Sequence, residues 1–250
     1  MGIISDVHAN IIALEAVLAK LEEHQVDQII CLGDLVGYGP FPNEVVELIR
    51  RKRILCTLGG ADERVAFPFI NADHRRGVAD KIIEWTKTVI SERSLEFLRT
   101  LPVQARLKIP SGRLRYFHSN MNSPSESLKI EDNMAQQMKI LEEHRCQILA
   151  LGKTHVPMVR ELPTGFIINP GSVGLSLNGE PGADYSIVDA RADKISVHMG
   201  KVEYDFSGVA FEVIAWDLPE VVAEAVQLGR MPNVTPKGLE NIKIQKFGRT

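Results

Sequence analysis

The stretch IISDVHANI, residues 3–11, contains a short apolar strand that stops abruptly at Asp6, His8 and Asn10. In an extended chain, side chains two positions apart leave the same side of the backbone, so Asp6 and His8 point the same way. Apolar residues then recur at the spacing of one helix face over residues 11–21. This pattern predicts a strand that feeds a helix, with chemistry-bearing side chains at the strand's end.

The same alternation of strand and helix continues along the chain. Strands are predicted at 27–34 and 53–60, with helices at 11–24, 42–52 and a helical stretch from about 75 to 100, in which Ser91 is an N-cap candidate for residues 92–101. A hairpin at 104–119, a helix at 131–144, short strands from 146 to 206 and a helix at 218–229 follow. We interpret residues 1–250 as one α/β domain, parallel-rich in its first half and hairpin-rich in its second. A helical extension and tail are predicted from about residue 205 to residue 250.

Composition narrows the class of protein. The chain has 250 residues, 44% of them hydrophobic, with a formal net charge of -3. That length can bury one large core or two modest ones, and the lack of basic excess argues against nucleic-acid binding. No apolar run spans a bilayer and no signal peptide precedes the first strand, so we expect a cytoplasmic protein without a membrane partner. The first strand is short for a central one, which indicates that the chain begins late or has lost an upstream start.

Polar side chains follow nearly every predicted strand. These are Asp6, His8, Asp34, His118, Lys153, His155 and Asn169. Because the carboxyl ends of parallel strands line one crevice, we expect the seven to converge. Each alone is a weak signal, since Asp34 could cap a helix and either histidine could be structural. Together, two carboxylates and several imidazoles would stay unpaired without a cation, and an oxygen and nitrogen set without thiolate suits Mn, Fe, Zn or Co.

The order of these motifs resembles a known family. DVH at 6–8, GDLVG at 33–37, Gly-x-x-Asp at 59–62, His118 and GKTH at 152–155 are similar to the DxH, GDxxG, GNHD/E, H and GHxH motifs of calcineurin-like metallophosphoesterases. The likeness runs from about residue 3 to residue 205. LGDLVGYGPFPNEVVELIR, LRTLPV and NPGSVGLSLNG bring it closer to the small bacterial phosphodiesterase and protein-phosphatase-like branch.

The resemblance implies a four-layer αββα sandwich with a two-metal site, of which this chain would hold one or two divalent ions. Carried over by position, the first metal would take Asp6, His8, Asp34 and His155. All four residue types are present.

The second metal site departs from the family pattern. It would take Asp34, His118, an Asn at position 60 and a His at position 153, but these positions are Gly60 and Lys153. The family's general acid would lie at Ala61, which leaves the acid unassigned. We therefore expect a mononuclear site in which the ammonium of Lys153 supplies part of the second metal's charge. Such a site would bind phosphate well and hydrolyse it slowly.

Five residues are expected to contact the substrate or to support the ligands. Asn10, Tyr38 and Lys153 are the substrate-binding candidates, although Asn10 also fits a helix N-cap; Asp62 would brace a ligand histidine and Asn169 would hold the crevice wall.

Three interpretations of function compete. The first is a metal-dependent phosphoesterase that hydrolyses a phosphodiester or phosphomonoester. The second is a catalytically impaired relative that binds phosphate, a nucleotide or a phosphoprotein, and the third is an assembly protein with a relic site. The expected partner is a phosphorylated small molecule or nucleotide. The tail after Gly229 is a candidate contact in a homo-oligomer, and residues 67–77, with Phe69, are a candidate lid or core segment.

Overall fold

Two five-stranded mixed sheets face each other, and helices cover the outer face of each. The structure is a computed structural model that describes residues 1–67, 77–130 and 133–232. Within these ranges, none of the helices has both the length and the apolar character that crossing a bilayer requires.

The first sheet has the strand order β10-β9-β1-β2-β3. Its strands are β1 Gly2–Ile4, β2 Ile29–Cys31, β3 Leu55–Cys56, β9 Ala183–Ala190 and β10 Ile195–Val202. β1, β2 and β3 are parallel to one another, whereas β9 runs antiparallel to both β1 and β10. The connections that return the chain to parallel strands are helices, as the sequence pattern predicts.

The second sheet has the order β4-β5-β6-β8-β7. Its strands are β4 Gln104–Ile109, β5 Gly112–Phe117, β6 Ile148–Leu151, β7 Met158–Leu162 and β8 Gly165–Asn169. β5, β6 and β8 are parallel, and β4 and β7 pair antiparallel at the two edges. The predicted hairpin at 104–119 is confirmed as β4 and β5.

Apolar side chains divide the molecule into four layers. The helices are α1 Ile11–Glu23, α2 Pro42–Arg51, α3 Gly60–Ala66, α4 Val78–Val89, α5 Glu92–Thr100, α6 Met134–His144, α7 Phe206–Ala215 and α8 Glu220–Leu228. Side chains such as Ile3, Ile30, Tyr116 and Ile148 fill the space between the sheets. α1, α2, α3 and α5 contribute to the core outside the first sheet, and α6 to the core outside the second. The predicted αββα sandwich is therefore confirmed.

Some helices and strands differ from the sequence prediction. The helical stretch expected from about 75 to 100 contains α4 and α5 in its described part, and the predicted N-cap Ser91 is confirmed, since it accepts from Ser94 N at the start of α5. The two strands expected over 194–206 are one strand, β10, and α7 begins where the second was expected. α3 was not predicted, because its opening Gly59-Gly60 reads as a turn.

The extension predicted from about residue 205 contains α7 and α8, which pack on each other and on Ile82 of α4. Its end, residues 233–250, and most of the segment 67–77 lie outside the described residues. The homo-oligomer contact, the lid and the domain limits therefore remain predictions.

Candidate metal centre

Five side chains predicted as ligands meet at the carboxyl ends of the strands. β1 leads into Asp6 and His8, and β2 into Asp34. From the opposite sheet, β5 leads into His118 and β6 into His155. All five are buried, with at most 7% of their surface exposed. Residues that are far apart in sequence thus form one polar cluster, which we call the metal centre.

The donor atoms of the metal centre form two overlapping groups. Asp6 Oδ1 lies 3.2 Å from His155 Nε2 and 3.8 Å from His8 Nε2. Asp34 Oδ2 lies 3.3 Å from His118 Nε2 and 3.8 Å from His8 Nε2. Asp6 belongs to both groups, since its Oδ1 is also 4.0 Å from His118 Nε2. This spacing suits direct ligation, after small adjustments, by side chains around a common cation.

The three imidazoles are oriented by backbone carbonyls. His8 Nδ1 lies 3.3 Å from Val36 O, and His118 Nδ1 lies 3.1 Å from Leu32 O. His155 Nδ1 lies 2.7 Å from Leu175 O. A carbonyl can only accept, so each Nδ1 donates and Nε2 is left with the lone pair that a metal takes. Such outer hydrogen bonds are the usual support of metal-bound histidines.

Two buried atoms of the metal centre face ionisable groups at 3.2–3.3 Å without a well-directed hydrogen bond. Asp6 Oδ1 and His118 Nε2 have no hydrogen bond within the described part of the chain. In addition, His8 Nε2 lies 3.0 Å from His155 Nε2, so two ring lone pairs would face each other if both rings were neutral. A cation among these atoms would satisfy all of them, and the nitrogen and oxygen donor set fits a divalent transition metal.

Electrostatics within the metal centre favour positive charge between the two carboxylates. Burial would raise the pKa of Asp34, but the His118 imidazolium outweighs it and lowers that pKa. Burial would lower the pKa of His118, but Asp34 and Asp6 outweigh it and raise that pKa to about 9, with Lys153 opposing the rise. For His8, burial and the nearby His155 lower the pKa to about 4.

The backbone is strained where it presents the ligands. Asp6, His8, Asp34 and His155 have φ values of 54°, 48°, 53° and 58°, and Lys153 has 79°. Non-glycine residues seldom adopt this left-handed region, and such strain concentrates at functional sites. Four of the five candidate ligands share it, which indicates that the surrounding loops force these side chains into place.

Glycine lets the loops of the two sheets approach each other. A Cβ on Gly152 would collide with Ser5 Oγ and lie 2.8 Å from Asp6 Oδ2. Lys153 N, one residue later, donates to that same Asp6 Oδ2 over 3.1 Å. The GKTH motif therefore needs its glycine so that the loop after β6 can reach the carboxylate after β1.

The three departures from the family pattern lie together. A Cβ on Gly60 would lie 3.6 Å from Lys153 Nζ and 3.5 Å from Ser125 Oγ. Ala61 N donates to Asp34 Oδ1 over 2.7 Å, so position 61 is directly beside a ligand. Lys153 thus extends toward the space that a side chain at position 60 would occupy.

The two residues expected to support the ligands contact backbone. Asp62 accepts from Val36 N and Gly59 N over 3.1 and 3.0 Å, and these contacts hold the loop after β2 rather than a histidine. Asn169 donates to Gly152 O over 2.8 Å and to Thr154 Oγ1 over 3.0 Å, so it holds the loop that carries Lys153 and His155.

The two remaining substrate-binding candidates differ in their surroundings. Asn10 caps α1 by accepting from Ala13 N, and its amide group donates to Gly174 O and Tyr204 Oη. Both the oxygen and the nitrogen of the Asn10 side-chain amide are thus hydrogen-bonded within the protein. The ring of Tyr38 packs edge-on against His8, with 4.7 Å between ring centroids, and is only partly buried.

Ser172, the last residue of the NPGS motif, also supports the candidate ligands. Its hydroxyl donates to Asp6 O over 2.7 Å and accepts from Leu175 N over 2.9 Å, while Leu175 O faces His155 Nδ1. Ser172 therefore links the loops of two ligands. Its place in the NPGS motif at 169–172 was the available signal; the orienting carbonyls carry no sequence signal at all.

Comparison with known proteins decides the family. The calcineurin-like phosphoesterase superfamily domain matches residues 1–193 of the chain. The chain belongs to the calcineurin-like phosphoesterase superfamily. An uncharacterized protein of Methanocaldococcus jannaschii is 32% identical over 245 residues, which cover 92% of this chain and 98% of that protein. The phosphodiesterase YfcE of Escherichia coli is 26% identical over 189 residues, covering 74% of this chain and 84% of YfcE.

Solved structures of other proteins have the same architecture. A metallophosphoesterase from Sphaerobacter thermophilus is 28% identical with a TM-score of 0.71, and the match covers 91% of this chain and 98% of that one. A hypothetical protein from Pyrococcus horikoshii has a TM-score of 0.82 at 22% identity, covering 93% and 99% of the two chains. The second match supports the fold alone. The predicted family and sandwich fold are confirmed.

Proposed function

We propose that the chain is a metal-dependent phosphoesterase that holds one divalent ion and uses Lys153 in place of a second. Asp6, His8, Asp34 and His155 would hold the ion. When bound, it supplies Lewis-acid activation of a phosphoryl group. The observation that carries this proposal is the convergence of buried donor atoms, two of them unsatisfied, at the position where the superfamily places its motifs.

Lys153 would bind a phosphate oxygen of the substrate. Its Nζ lies near Gly60, where the superfamily pattern has a ligand side chain, and it is close enough to His118 to oppose the rise of that imidazole's pKa. An ammonium attracts phosphate as a point charge without the geometric demands of a metal. The substrate would be a phosphodiester or a phosphomonoester, and the likeness to the phosphodiesterase YfcE favours the diester.

Leaving-group departure would be the slow step. The superfamily pattern has a histidine acid where this chain has Ala61, whose side chain holds no proton to donate. A positioned acid is typically worth about 10²–10⁴ in rate. The proposed enzyme therefore acts best on esters whose leaving group departs without protonation, and more slowly than relatives that keep the acid.

A second candidate function rests on the same departures. With Gly60, Ala61 and Lys153 all changed, the chain would bind a phosphate, a nucleotide or a phosphoprotein without turning it over. The intact ligand set at Asp6 and Asp34 favours the enzyme, because a binding module needs positive charge but not this coordination geometry.

The test is hydrolysis of bis(p-nitrophenyl) phosphate by the purified chain with added Mn²⁺. We expect slow turnover that Asp34→Asn abolishes, because this change removes a shared carboxylate. Turnover that is unaffected by Asp34→Asn would refute the assigned site. Phosphate binding with no turnover in the unmodified chain would favour the second candidate.

A restoration experiment separates the two candidates further. Gly60→Asn, Ala61→His and Lys153→His together rebuild the superfamily pattern. A Cβ at position 60 would lie 3.3 Å from Pro124 O, so Pro124 must move by a few tenths of an ångström to admit it. We expect a gain in both metal content and rate. No gain in either would mean that the site has lost catalysis beyond these three positions.

A further inference from the structure

The β4–β5 hairpin carries unpaired cations far from the metal centre. Arg106, Lys108 and Arg113 of the hairpin, with Arg145 at the end of α6, line an open cavity of about 810 Å³. We call this the basic cavity. Leu107, Gly112 and Gln147 complete its lining.

Strand register places like charges directly opposite each other. Arg106 pairs with Arg115, and Lys108 with Arg113, across the antiparallel ladder. Leu107 and Leu114 between them pack into the core between the sheets, so by alternation the basic side chains project from the outer face. Directly opposed like charges destabilise a sheet, so this arrangement costs free energy unless an anion lies between them.

None of these cations has a carboxylate partner in the described part of the chain. Elsewhere, several surface cations are paired, as in Lys20 with Glu23 at 2.6 Å and Lys139 with Glu143 at 3.7 Å. The whole chain has a net charge of -3, so the concentration of unpaired positive charge here is local. A local positive field of this kind raises the concentration of anionic ligands at the surface.

The rim of the basic cavity is rigidly held. Gln147 Oε1 accepts from Arg113 N over 2.7 Å, and Gln147 N donates to Arg113 O over 2.9 Å. Gly112 has φ +134°, and a Cβ there would collide with the Gln147 amide. These contacts fix the turn of the hairpin against β6, while Gln147 Nε2 makes no hydrogen bond to the described residues and is available to a ligand.

We propose that the basic cavity binds a small molecule that carries two or more phosphate groups. Three of its four cations are arginines, whose planar forks match phosphate oxygens, and its volume suits a ligand of nucleotide size. No aromatic side chain lines it, so the stacking that single-stranded nucleic acids use is absent. A compact polyphosphate therefore fits better than a nucleic-acid strand.

This site is separate from the metal centre. Gly112 and Gln147 lie at the amino ends of β5 and β6, whereas His118 and His155 follow their carboxyl ends. The six residues of β5 span on the order of 20 Å. A ligand in the basic cavity therefore does not touch the catalytic ligands, and the site does not depend on the proposed hydrolysis.

The experiment titrates sodium tripolyphosphate into ¹⁵N-labelled protein as purified and follows backbone amide shifts. We expect saturable shifts at residues 106–113 and 145–147. Any removal of metal by the probe would shift amides near Asp6 and Asp34 instead, so the two effects are separated by position. No shift in the hairpin at millimolar probe would overturn the proposal.

A pair of matched variants tests the named cations. Arg113→Gln with Arg145→Gln removes two charges from the basic cavity, and Lys20→Gln with Lys139→Gln removes two paired surface charges. Calorimetry should show the tripolyphosphate dissociation constant raised by about tenfold or more in the first double variant and by less than about twofold in the second. Equal weakening in both would mean that only general electrostatics is at work.

Two further outcomes would overturn the proposal. Inorganic phosphate that binds as tightly as tripolyphosphate would contradict a polyphosphate ligand. A single-stranded oligonucleotide that binds more tightly than tripolyphosphate, and whose binding is lost in the Arg113 and Arg145 variant, would assign the face to nucleic acid.

The melting temperature controls for a structural role of Arg113. Because Arg113→Gln removes a like-charge pair from the hairpin, it should not lower the melting temperature; a clear drop would make Arg113 structural.

Discussion

Lys153 contributes to the site in two ways, through its backbone N–H and through its ammonium group. Its backbone N–H donates to Asp6 Oδ2, and its ammonium extends toward Gly60. The first contact needs only a peptide group, so it survives any side chain at this position. The second depends on the ammonium, and it is the one that the proposed function uses.

Lys153→Gln therefore removes the ammonium's charge while it keeps the backbone contact with Asp6. We expect kcat/KM for a phosphodiester to fall by about tenfold to a hundredfold, because a charged contact with phosphate is lost, with metal content unchanged. Steady-state kinetics and metal analysis on the same preparation measure both. Lys139→Gln, an exposed lysine on α6, is the control and should leave kcat/KM unchanged. A rise in rate with Lys153→Gln would mean that the ammonium obstructs the site.

Ala61 predicts a strong dependence on the leaving group. Without an acid at this position, a diester with a phenol leaving group should react far more slowly than one with p-nitrophenol, and Ala61→His should narrow that gap by raising the slower rate. Rates for the two esters, with and without the change, measure the effect. Equal rates for both esters in the unmodified chain would show that another group donates the proton.

Sequence reasoning went furthest at this scale of single residues. The DVH, GDLVG and GKTH motifs predicted Asp6, Asp34 and His155 as ligands because each follows a strand and belongs to a recognisable pattern. It did not find the carbonyls of Leu32, Val36 and Leu175, since every residue has a carbonyl and only the fold decides which one faces an imidazole.

At the scale of elements, tight loops after each strand set the positions of the ligands. The loop after β6 approaches Asp6 only because position 152 is glycine, and the loop after β8 reaches Asp6 O through Ser172. α3 begins at Gly60 directly after β3 and brings Ala61 N to Asp34. The sequence did not predict α3, because paired glycines usually mark a turn. In the structure Asp62 accepts from Gly59 N, and this hydrogen bond caps the start of the helix.

Gly152→Ala tests the close approach of these loops. The added Cβ would overlap Ser5 Oγ and crowd Asp6, so we expect a loss of about 1–3 kcal/mol in the free energy of unfolding and weaker metal binding. Urea denaturation and metal analysis measure the two effects. Gly60→Ala is the control, because its Cβ would find a nearest contact of 3.3 Å and alanine favours the helix. Similar losses in both variants would contradict the explanation.

Ser172→Ala tests the hydrogen bonds that link the loops. The buried hydroxyl serves Asp6 O and Leu175 N, so its removal should cost about 1–3 kcal/mol of stability and reduce metal affinity. Thr100→Ala removes an exposed hydroxyl that bonds to Phe97 O within its own helix and should cost much less. Thermal unfolding with and without added Mn²⁺ compares them, and unchanged metal affinity in Ser172→Ala would remove the residue from the site's support.

At the scale of the whole molecule, the metal centre joins the two sheets. Asp6, His8 and Asp34 come from the first sheet, whereas His118 and His155 come from the second. The sequence predicted this convergence in outline, because strand ends of parallel strands share an edge. It did not predict the boundary between β10 and α7, because the pattern of KVEYDF, residues 201–206, is typical of a strand. In the structure Asp205 accepts from Gly208 N and caps α7.

Removal of the metal should therefore loosen the entire sandwich. A ligand that binds only the folded state adds about 4 kcal/mol when its free concentration is a thousand times its dissociation constant. We expect a chelator to lower the melting temperature of the unmodified chain and to leave that of Asp34→Asn unchanged. An equal drop in both would mean that the chelator acts elsewhere.

The number of metal ions per chain tests the mononuclear site most directly. Protein purified without chelator, reconstituted with Mn²⁺ and desalted, can be measured by elemental analysis alongside native mass spectrometry. One ion per chain, lost in Asp34→Asn, is the predicted result. Two tightly held ions per chain, or none after reconstitution, would contradict it.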